Sequence, residues 1–581
     1  MIDVLYLLAP YSKGSKRWLI LNLITAIIGN AMIMINPLLI GRLINELKPN
    51  DIDFNLVITY LIIIASLYLL GSVILWFSQA FSHNFATSVT KNLKNKAFHV
   101  IVNSKISYLD KTKTGDIMTR FSQDIDLIFD SLSHFFMSIF QGGTTVIFSV
   151  VLMFYLNHWL TLVVTAVVPI IFIYSRAMKN KRSERFLVLQ RLTGNLTAAS
   201  KESFSEKKLI QSYNYEQNAK DDFDKINEEL TKLATRAYFS ASMDNPTFRV
   251  FNNVAYAMLG LVALLLTLNG HIITPAVLTS MIMYAAMFSK PFNEYSVLTV
   301  SFLAGRAGVK RVLEIIEQDI EKEVIPFNFN DRATKGNISF KNVSFGYNKN
   351  QTLIKDFNLE VKQGEKVAIV GPTGAGKSTM INLLMRYYEI DQGSIILDGK
   401  DLRDYNRKTL RLSFGLVLQE PWLFGGTIKA NLKYGRKDIS DDKMIEAAKK
   451  ANCHNFISNL KNGYDTILDD STNLSTGQRQ LLTIARALII DPPILILDEA
   501  TSNIDSLMEQ QIQTTFKKAM QGKTSFTIAH RLKTIVDSDI IIVMDKGDIV
   551  EQGKHNELMS KENGFYRELY LSQFDKEEKE S

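Results

Sequence analysis

Nine consecutive residues carry the plainest chemistry in this chain: Gly371, Pro372, Thr373, Gly374, Ala375, Gly376, Lys377, Ser378 and Thr379. They match G-x-x-x-x-G-K-[ST], the pattern of a phosphate-binding loop. Phosphate oxygens are crowded and strongly negative. Glycines let backbone N–H groups approach them, and the N-terminus of a following helix adds a partial positive charge. Lys377 is expected to reach the β- and γ-phosphates of a nucleoside triphosphate, and the Ser378 hydroxyl to bind Mg²⁺. A second candidate is the apolar run Ile494 to Leu497, which ends in Asp498 and Glu499. An acid at a strand end close to a phosphate loop can hold Mg²⁺ through its water shell. The adjacent Glu499 can accept a proton from an attacking water. Alone, such a run is equally a buried strand with a polar end. The phosphate loop is what turns it towards hydrolysis.

These residues need strands to hold them. Lys366 to Val370 reads as a strand running into the loop, and Ile494 to Leu497 as another. From Gly336 onwards short apolar strands alternate with turn signals, so residues 336–581 are expected to form an α/β domain. Residues 316–335 read as a linker and 1–315 as a helical domain. A length of 581 residues is enough for several domains. The hydrophobic share, 46%, is average, but it is concentrated before about Gly305. The net charge of +7 is modest, and the basic residues gather in loops beside apolar runs, so no nucleic-acid partner is expected. The single cysteine, Cys453, allows no intrachain disulfide and no cysteine metal cluster; packing is its expected role.

Six stretches suit a bilayer core of ~30 Å, which needs about 20 apolar residues in helix. They run from Trp18 to about Leu43, Leu56 to about Phe77, Phe135 to Leu156, Leu160 to about Met178, about Phe248 to Leu268, and Ile273 to about Val300. Six buried helices of a soluble protein would not be so free of charge. The loops between spans two and three and between spans four and five are rich in lysine and arginine. The positive-inside rule makes them cytoplasmic, and an even number of spans puts both termini there too. A cleavable signal is not expected, because Lys13, Lys16 and Arg17 precede the first long run without a cleavage site. Both long loops are rich in helix formers, so spans two to five should continue as helices beyond the bilayer. They should turn at tips near Leu109 to Gly115 and Tyr213 to Glu216. Arg42, Lys290 and Glu294 lie near the ends of their runs, which disfavours an ion relay at mid-depth. Met281, Met283, Tyr284, Met287 and Phe288 on span six could suit a hydrophobic cargo or simply pack.

Further motifs carry a family resemblance. Leu474 to Gln478 resembles the signature motif of ATP-binding cassette (ABC) proteins, with Ser475, Gly477 and Gln478 in matching places. Gln419, before Glu420 and Pro421, resembles their Q-loop glutamine. Ser502 to Asp505 looks like the D-loop, and His530 like the switch histidine. Tyr347 stands where the family places an aromatic that stacks on adenine. The resemblance spans nearly the whole chain and includes the stretch Thr114 to Asp124. It is strongest to bacterial multidrug-type half-transporters. It implies a fold of a membrane all-α six-helix exporter domain followed by an α/β P-loop NTPase domain of ABC type, in the cell membrane as a multi-pass protein. It implies ATP and Mg²⁺ as cofactors, Glu499, His530 and Gln419 as catalytic groups, and Ser378, Gln419 and Asp498 around the metal. Two such domains sandwich ATP head to tail, so Ser475, Gly477, Gln478 and Asp505 would serve a nucleotide held by a partner. One phosphate loop in the chain then implies a second half-transporter.

One departure matters. The family's signature has a second glycine where this chain has Thr476, and residues 469–473 lack its usual glycines. Similar heterodimeric exporters combine an intact glutamate with an altered signature in one subunit, and the reverse in its sister. The resemblance therefore implies a heterodimer over a homodimer, with membrane lipid and a hydrophobic small molecule as the other partners. A lipid, peptide or glycan exporter has the same parts, as does an ATP-gated channel or regulator. Import is disfavoured by the order of the domains. A peptide-processing exporter is disfavoured because Met1 to Arg17 is too short for a peptidase.

Overall fold

The computed structural model describes the chain apart from residues 1, 48–52, 322, 324, 329, 331, 334, 349–350, 437, 470–473, 500–505, 530–534 and 581. It contains two compact units. One comprises Met1–Ser104 and Thr112–Asp319, the other Lys105–Lys111 and Ile320–Ser581.

The first unit is helical. Its longest elements are Lys16–Glu46, Phe54–Asn103, Thr114–Leu156, His158–Ser205, Glu216–Ser242, Asp244–Leu268 and Pro275–Ile316. Local chemistry starts them. Asp53 accepts hydrogen bonds from the Asn55 and Leu56 amides, Asn157 from Leu160, and Thr274 from Val277 ahead of Pro275. Asn157 thus separates two helices with a single non-helical residue. Phe54–Asn103 has 50 residues. At 1.5 Å per residue it is about 75 Å long, more than twice the hydrocarbon thickness. The expected extension beyond the bilayer is therefore present in this helix.

Among the described residues four helices are long and apolar enough to cross a membrane: Lys16–Glu46, Phe54–Asn103, Thr114–Leu156 and Pro246–Leu268. The fourth and sixth expected spans lie on His158–Ser205 and Pro275–Ile316, where some side chains are outside the description. Leu61, Ile62, Leu69 and Trp76 are each more than half exposed. Water would not tolerate so large an apolar surface, whereas lipid would. The helices break between Lys111 and Thr114 and between Ser212 and Glu216, within the expected tips, each break preceded by a short helix, Ile106–Lys111 or Lys207–Ser212.

The structure decides between the two roles open to span six. Met281, Tyr284 and Phe288 are buried against Met34, Met153, Leu160 and Leu259. The Tyr284 hydroxyl donates to the Met34 carbonyl at 2.6 Å. These three side chains pack between spans, the second of the two roles the sequence allows them.

The second unit is α/β. Its strands are β1 (Ile338–Phe345), β2 (Ile354–Val361), β3 (Lys366–Val370), β4 (Gln392–Leu397), β5 (Lys400–Asp401), β6 (Phe414–Val417), β7 (Gly426–Thr427), β8 (Ile467–Leu468), β9 (Ile494–Glu499), β10 (Thr524–Ala529), β11 (Ile540–Asp545) and β12 (Asp548–Gly553). The main sheet has the order β12-β11-β3-β10-β9-β6 and is parallel except for β12 at one edge. A smaller antiparallel sheet has the order β2-β1-β4-β5. In β3, Val367 and Ile369 face one core while Ala368 and Val370 face another. Burial on both faces explains the unbroken apolar runs of the parallel strands. Cys453 is fully buried in the helical core around Leu481 and Ile484, and burial pushes its thiol up to about 12. It packs, as expected.

The β11–β12 turn is held tightly. Gly547 has φ +90°, and a Cβ there would lie 1.4 Å from the Leu353 carbonyl oxygen. Gly547→Ala is expected to destabilise this unit by on the order of 2–4 kcal/mol. Thermal unfolding of the detergent-solubilised chain measures this. An unshifted transition would show that the turn relaxes freely.

Candidate functional site

The loop after β3 is built from glycine conformations. Gly371, Gly374 and Gly376 have φ of +150°, +85° and +99°. A Cβ on Gly371 would lie 2.1 Å from the Met544 carbonyl oxygen, so the loop passes directly against β11. The Gly547 amide donates to the Ala375 carbonyl at 3.1 Å, which ties the β11–β12 turn to the same loop. Gly376, left-handed, caps the helix Lys377–Leu384. Ala375, Met380 and Ile381 anchor this segment in the first core. Lys377 Nζ donates to the carbonyls of Gly371 and Pro372 at 2.7 and 2.9 Å. Burial lowers its pKa, and the Asp498 carboxylate works against that shift. A cation, a helix N-terminus and a glycine-shaped backbone thus converge, and this donor set fits a triphosphate.

The sheet register assembles the other candidates. Ile528 on β10 pairs with Ile369 on β3 and with Asp498 on β9; Ala529 pairs with Glu499. Val417 on β6 pairs with Leu497. Adjacent strands are ~4.8 Å apart, so Asp498 lies two strands, about 10 Å, from the end of β3. Gln419, two residues past β6 and exposed, stands at the same carboxyl edge as Glu499. This edge is where open α/β sheets bind ligands. The side chain of Glu499, and residues His530 and Asp505 entirely, lie outside the described residues. The strand that leads to His530 ends at Ala529, beside Glu499.

The two hydroxyls of the loop are placed differently. Ser378 is exposed, whereas Thr379 is buried. The Thr379 hydroxyl lies 3.1 Å from the Tyr347 hydroxyl, which also accepts from Asn382 Nδ2 at 3.2 Å. The Tyr347 ring remains 40% exposed, enough to offer a face to a planar base. Its edges pack on Phe345 and Tyr388, with centroids 5.1 and 4.9 Å away. Tyr388 was not legible as a site neighbour. Its hydroxyl donates to the Asp110 carboxylate on the short helix Ile106–Lys111. Burial, then that carboxylate, raise its pKa. Nothing in the spacing of Asp110 and Tyr388 announces the pair.

Ser475 caps the helix Thr476–Leu488 through a capping box. Its hydroxyl accepts from the Gln478 amide at 3.2 Å, and the Gln478 side chain accepts from the Ser475 amide at 3.1 Å. Gly477 is buried. Thr476 is the first helical residue and exposed, so a glycine there would not be required by backbone conformation. Threonine adds a branched side chain at the helix tip. This helix packs into the second core, apart from the core that anchors the phosphate loop. Gln480 on it donates to the Leu418 carbonyl at 3.5 Å, linking it to the segment that carries Gln419.

Comparison with known proteins agrees with this geometry. Residues 19–292 match the family model of the ABC transporter transmembrane region, and residues 354–502 the model described as ABC transporter. An ABC transporter ATP-binding protein of Bacillus subtilis strain 168 is 34% identical over 97% of this chain and 93% of its own length. A fatty acid ABC transporter ATP-binding/permease protein of Mycobacterium bovis is 32% identical over 90% and 83%. An ATP-dependent lipid A-core flippase of Vibrio parahaemolyticus is 34% identical over 84% of each chain. The chain belongs to the ABC transporter family, as an exporter with a helical transmembrane domain followed by an α/β nucleotide-binding domain, an ATPase coupled to transport.

Proposed function

We propose that this chain exports hydrophobic or amphipathic compounds across the cytoplasmic membrane as one half of a dimer. In this reading residues 1–315 form the transmembrane domain, 316–335 the connection and 336–581 the cassette, with the cassette and both termini cytoplasmic. The observation that carries the cargo class is a cleft of about 520 Å³ between His158–Ser205 and Asp244–Leu268. Trp159, Leu162, Val163, Val254, Met258 and Leu266 are among its lining, which is apolar throughout. Such a volume and lining suit a small apolar ligand. The test is ATP-dependent uptake of an apolar dye into inverted vesicles. Uptake supports the reading. ATP-dependent currents without uptake would favour a channel.

The residues divide the work. Gly371 to Thr379 cradle the phosphates, with Lys377 on the β- and γ-phosphates, and Tyr347 offers its ring to adenine. Ser378, Asp498 and Gln419 would hold Mg²⁺, which would neutralise phosphate charge. Glu499 takes the proton of the attacking water, and His530 contacts the γ-phosphate. Ser475, Gly477, Gln478 and Asp505 serve the nucleotide of the partner. Chelating Mg²⁺ with EDTA is expected to abolish hydrolysis, measured as phosphate release; persistence of hydrolysis would remove Mg²⁺ from the site.

A lipid cargo is the second reading. It is favoured by the named activities of two relatives, a fatty acid transporter and a lipid A-core flippase. Flipping of a labelled acyl lipid without dye uptake would select it.

Thr476 favours an unlike partner. Its side chain stands exposed at the helix tip that would meet the partner's nucleotide. The chain purified alone is then expected to hydrolyse ATP weakly, and Thr476→Gly to raise that rate. Full drug-stimulated activity of the wild-type chain alone would sink the heterodimer.

A further inference from the structure

Asp124 is a carboxylate only 3% exposed in the helical unit. It is held by both arms of one guanidinium: Arg311 Nε donates to Oδ2 at 2.7 Å and Nη2 to Oδ1 at 2.5 Å. The partners are 187 positions apart in sequence. Asp124 closes the π-helical turn Arg120–Asp124, an irregularity inside the helix Thr114–Leu156. A π turn inserts an extra residue and rotates the helix beyond it, and such turns collect at functional sites. Arg120 adds a second tie. Its Nη1 donates to the Arg311 carbonyl at 3.1 Å and lies 3.2 Å from the Glu314 carboxylate. Glycines let the backbones close in. A Cβ on Gly308 would lie 2.8 Å from the Asp124 carbonyl, and one on Gly305 2.3 Å from Ser131 Cβ. Ile125, Ile128 and Leu132 pack with Val309, Val312 and Ile315 around this joint.

The place of the pair along the chain gives it meaning. The nucleotide-binding unit comprises Lys105–Lys111 and everything from Ile320 onwards. Asp124 lies on the helix that begins at Thr114, just after the first of these segments. Arg311 lies on the helix that ends at Ile316, just before the second. Of the three covalent crossings between the units, those after Lys111 and before Ile320 therefore run into one ion pair; the third enters Lys105 from the helix Phe54–Asn103. Asp124 is buried while the Arg311 side chain is 44% exposed, so the pair contributes modestly to stability, but it is directional.

We propose that Asp124 and Arg311 are positioning residues for coupling. Their bidentate pair locks the ends of the third and sixth spanning helices into one body, so that motion arriving by either route moves both. The proposal rests only on the coupling of the ATPase to transport and not on the cargo.

The test uses the reconstituted transporter carrying Leu268→Cys, a reporter that is 74% exposed at the end of Asp244–Leu268. The single native cysteine, Cys453, is buried and hidden from maleimide. ATP hydrolysis and the ATP-dependent change in maleimide labelling rate are measured together. Asp124→Asn keeps the shape and removes the charge. It is expected to hydrolyse ATP within about twofold of wild type, while the labelling response falls about tenfold. Arg311→Lys keeps the charge and loses the second arm, and should fall between. A wild-type response in Asp124→Asn overturns the proposal, as does a proportional loss of hydrolysis and response in both variants. If Asp124→Asn does not fold, Arg311→Lys decides: its partner charge stays paired, and an undiminished response there overturns the proposal equally.

Discussion

Replacing Glu499 by glutamine is expected to leave ATP bound and to abolish most of its turnover. Glutamine keeps the size of the side chain and cannot accept a proton. The register of the sheet places residue 499 at the carboxyl edge, paired with Ala529 and next to Asp498, which pairs with Ile528. That edge is shared with the end of β3, from which the phosphate loop springs. Asp498 is untouched by the substitution, so Mg²⁺ and nucleotide affinity should persist. Loss of a positioned general base lowers the rate by about 10²–10⁴-fold. Nucleotide binding measured by calorimetry, beside phosphate release from the assembled transporter, separates the two effects. Wild-type turnover in Glu499→Gln would remove this residue from the base role.

Lys377→Ala is expected to weaken nucleotide binding. The ammonium group is partly buried, and burial lowers its pKa while Asp498 opposes that shift. It already bonds two carbonyls of its own loop, those of Gly371 and Pro372. Phosphate must compete with these bonds, so the net loss is smaller than the gross interaction. A hydrogen bond to a charged group contributes about 1.5–3 kcal/mol. That corresponds to roughly a 10- to 150-fold rise in Kd. The substitution also removes a positive charge that acts on Asp498, which adds to the unfavourable balance. Unchanged affinity would undermine the phosphate-loop reading of residues 371–379.

Much of the site was legible because its chemistry is local. The loop conformation follows from glycines at 371, 374 and 376, each found with positive φ. The helix after it, the capping box at Ser475 and Gln478, and the caps at Asp53, Asn157 and Thr274 follow from residues within four positions of one another. The apolar runs are likewise local, since each is a composition of neighbours. Thr379 shows where local reading stops. Motif membership puts it beside the nucleotide; that its hydroxyl pairs with Tyr347, 32 positions upstream, no local pattern shows. For Met281, Tyr284 and Phe288 cargo contact and packing stayed open in the sequence, because a sequence does not say which face of a span meets another span.

By itself, then, the sequence determined the kinds of chemistry and the elements that carry them: a phosphate loop, an acidic strand end, a signature-like helix start, and long apolar helices. These depend on backbone preferences and hydrophobicity summed over a few turns. Only the tertiary structure decided which of them are neighbours. The order β3-β10-β9-β6 sets Lys377, Asp498 and Gln419 along one edge, and the joining of Thr114–Leu156 to Pro275–Ile316 pairs Asp124 with Arg311. Such partners are chosen by packing and charge pairing between residues tens to hundreds of positions apart. The free energy of those contacts belongs to the assembled core, and no local pattern in the chain encodes it.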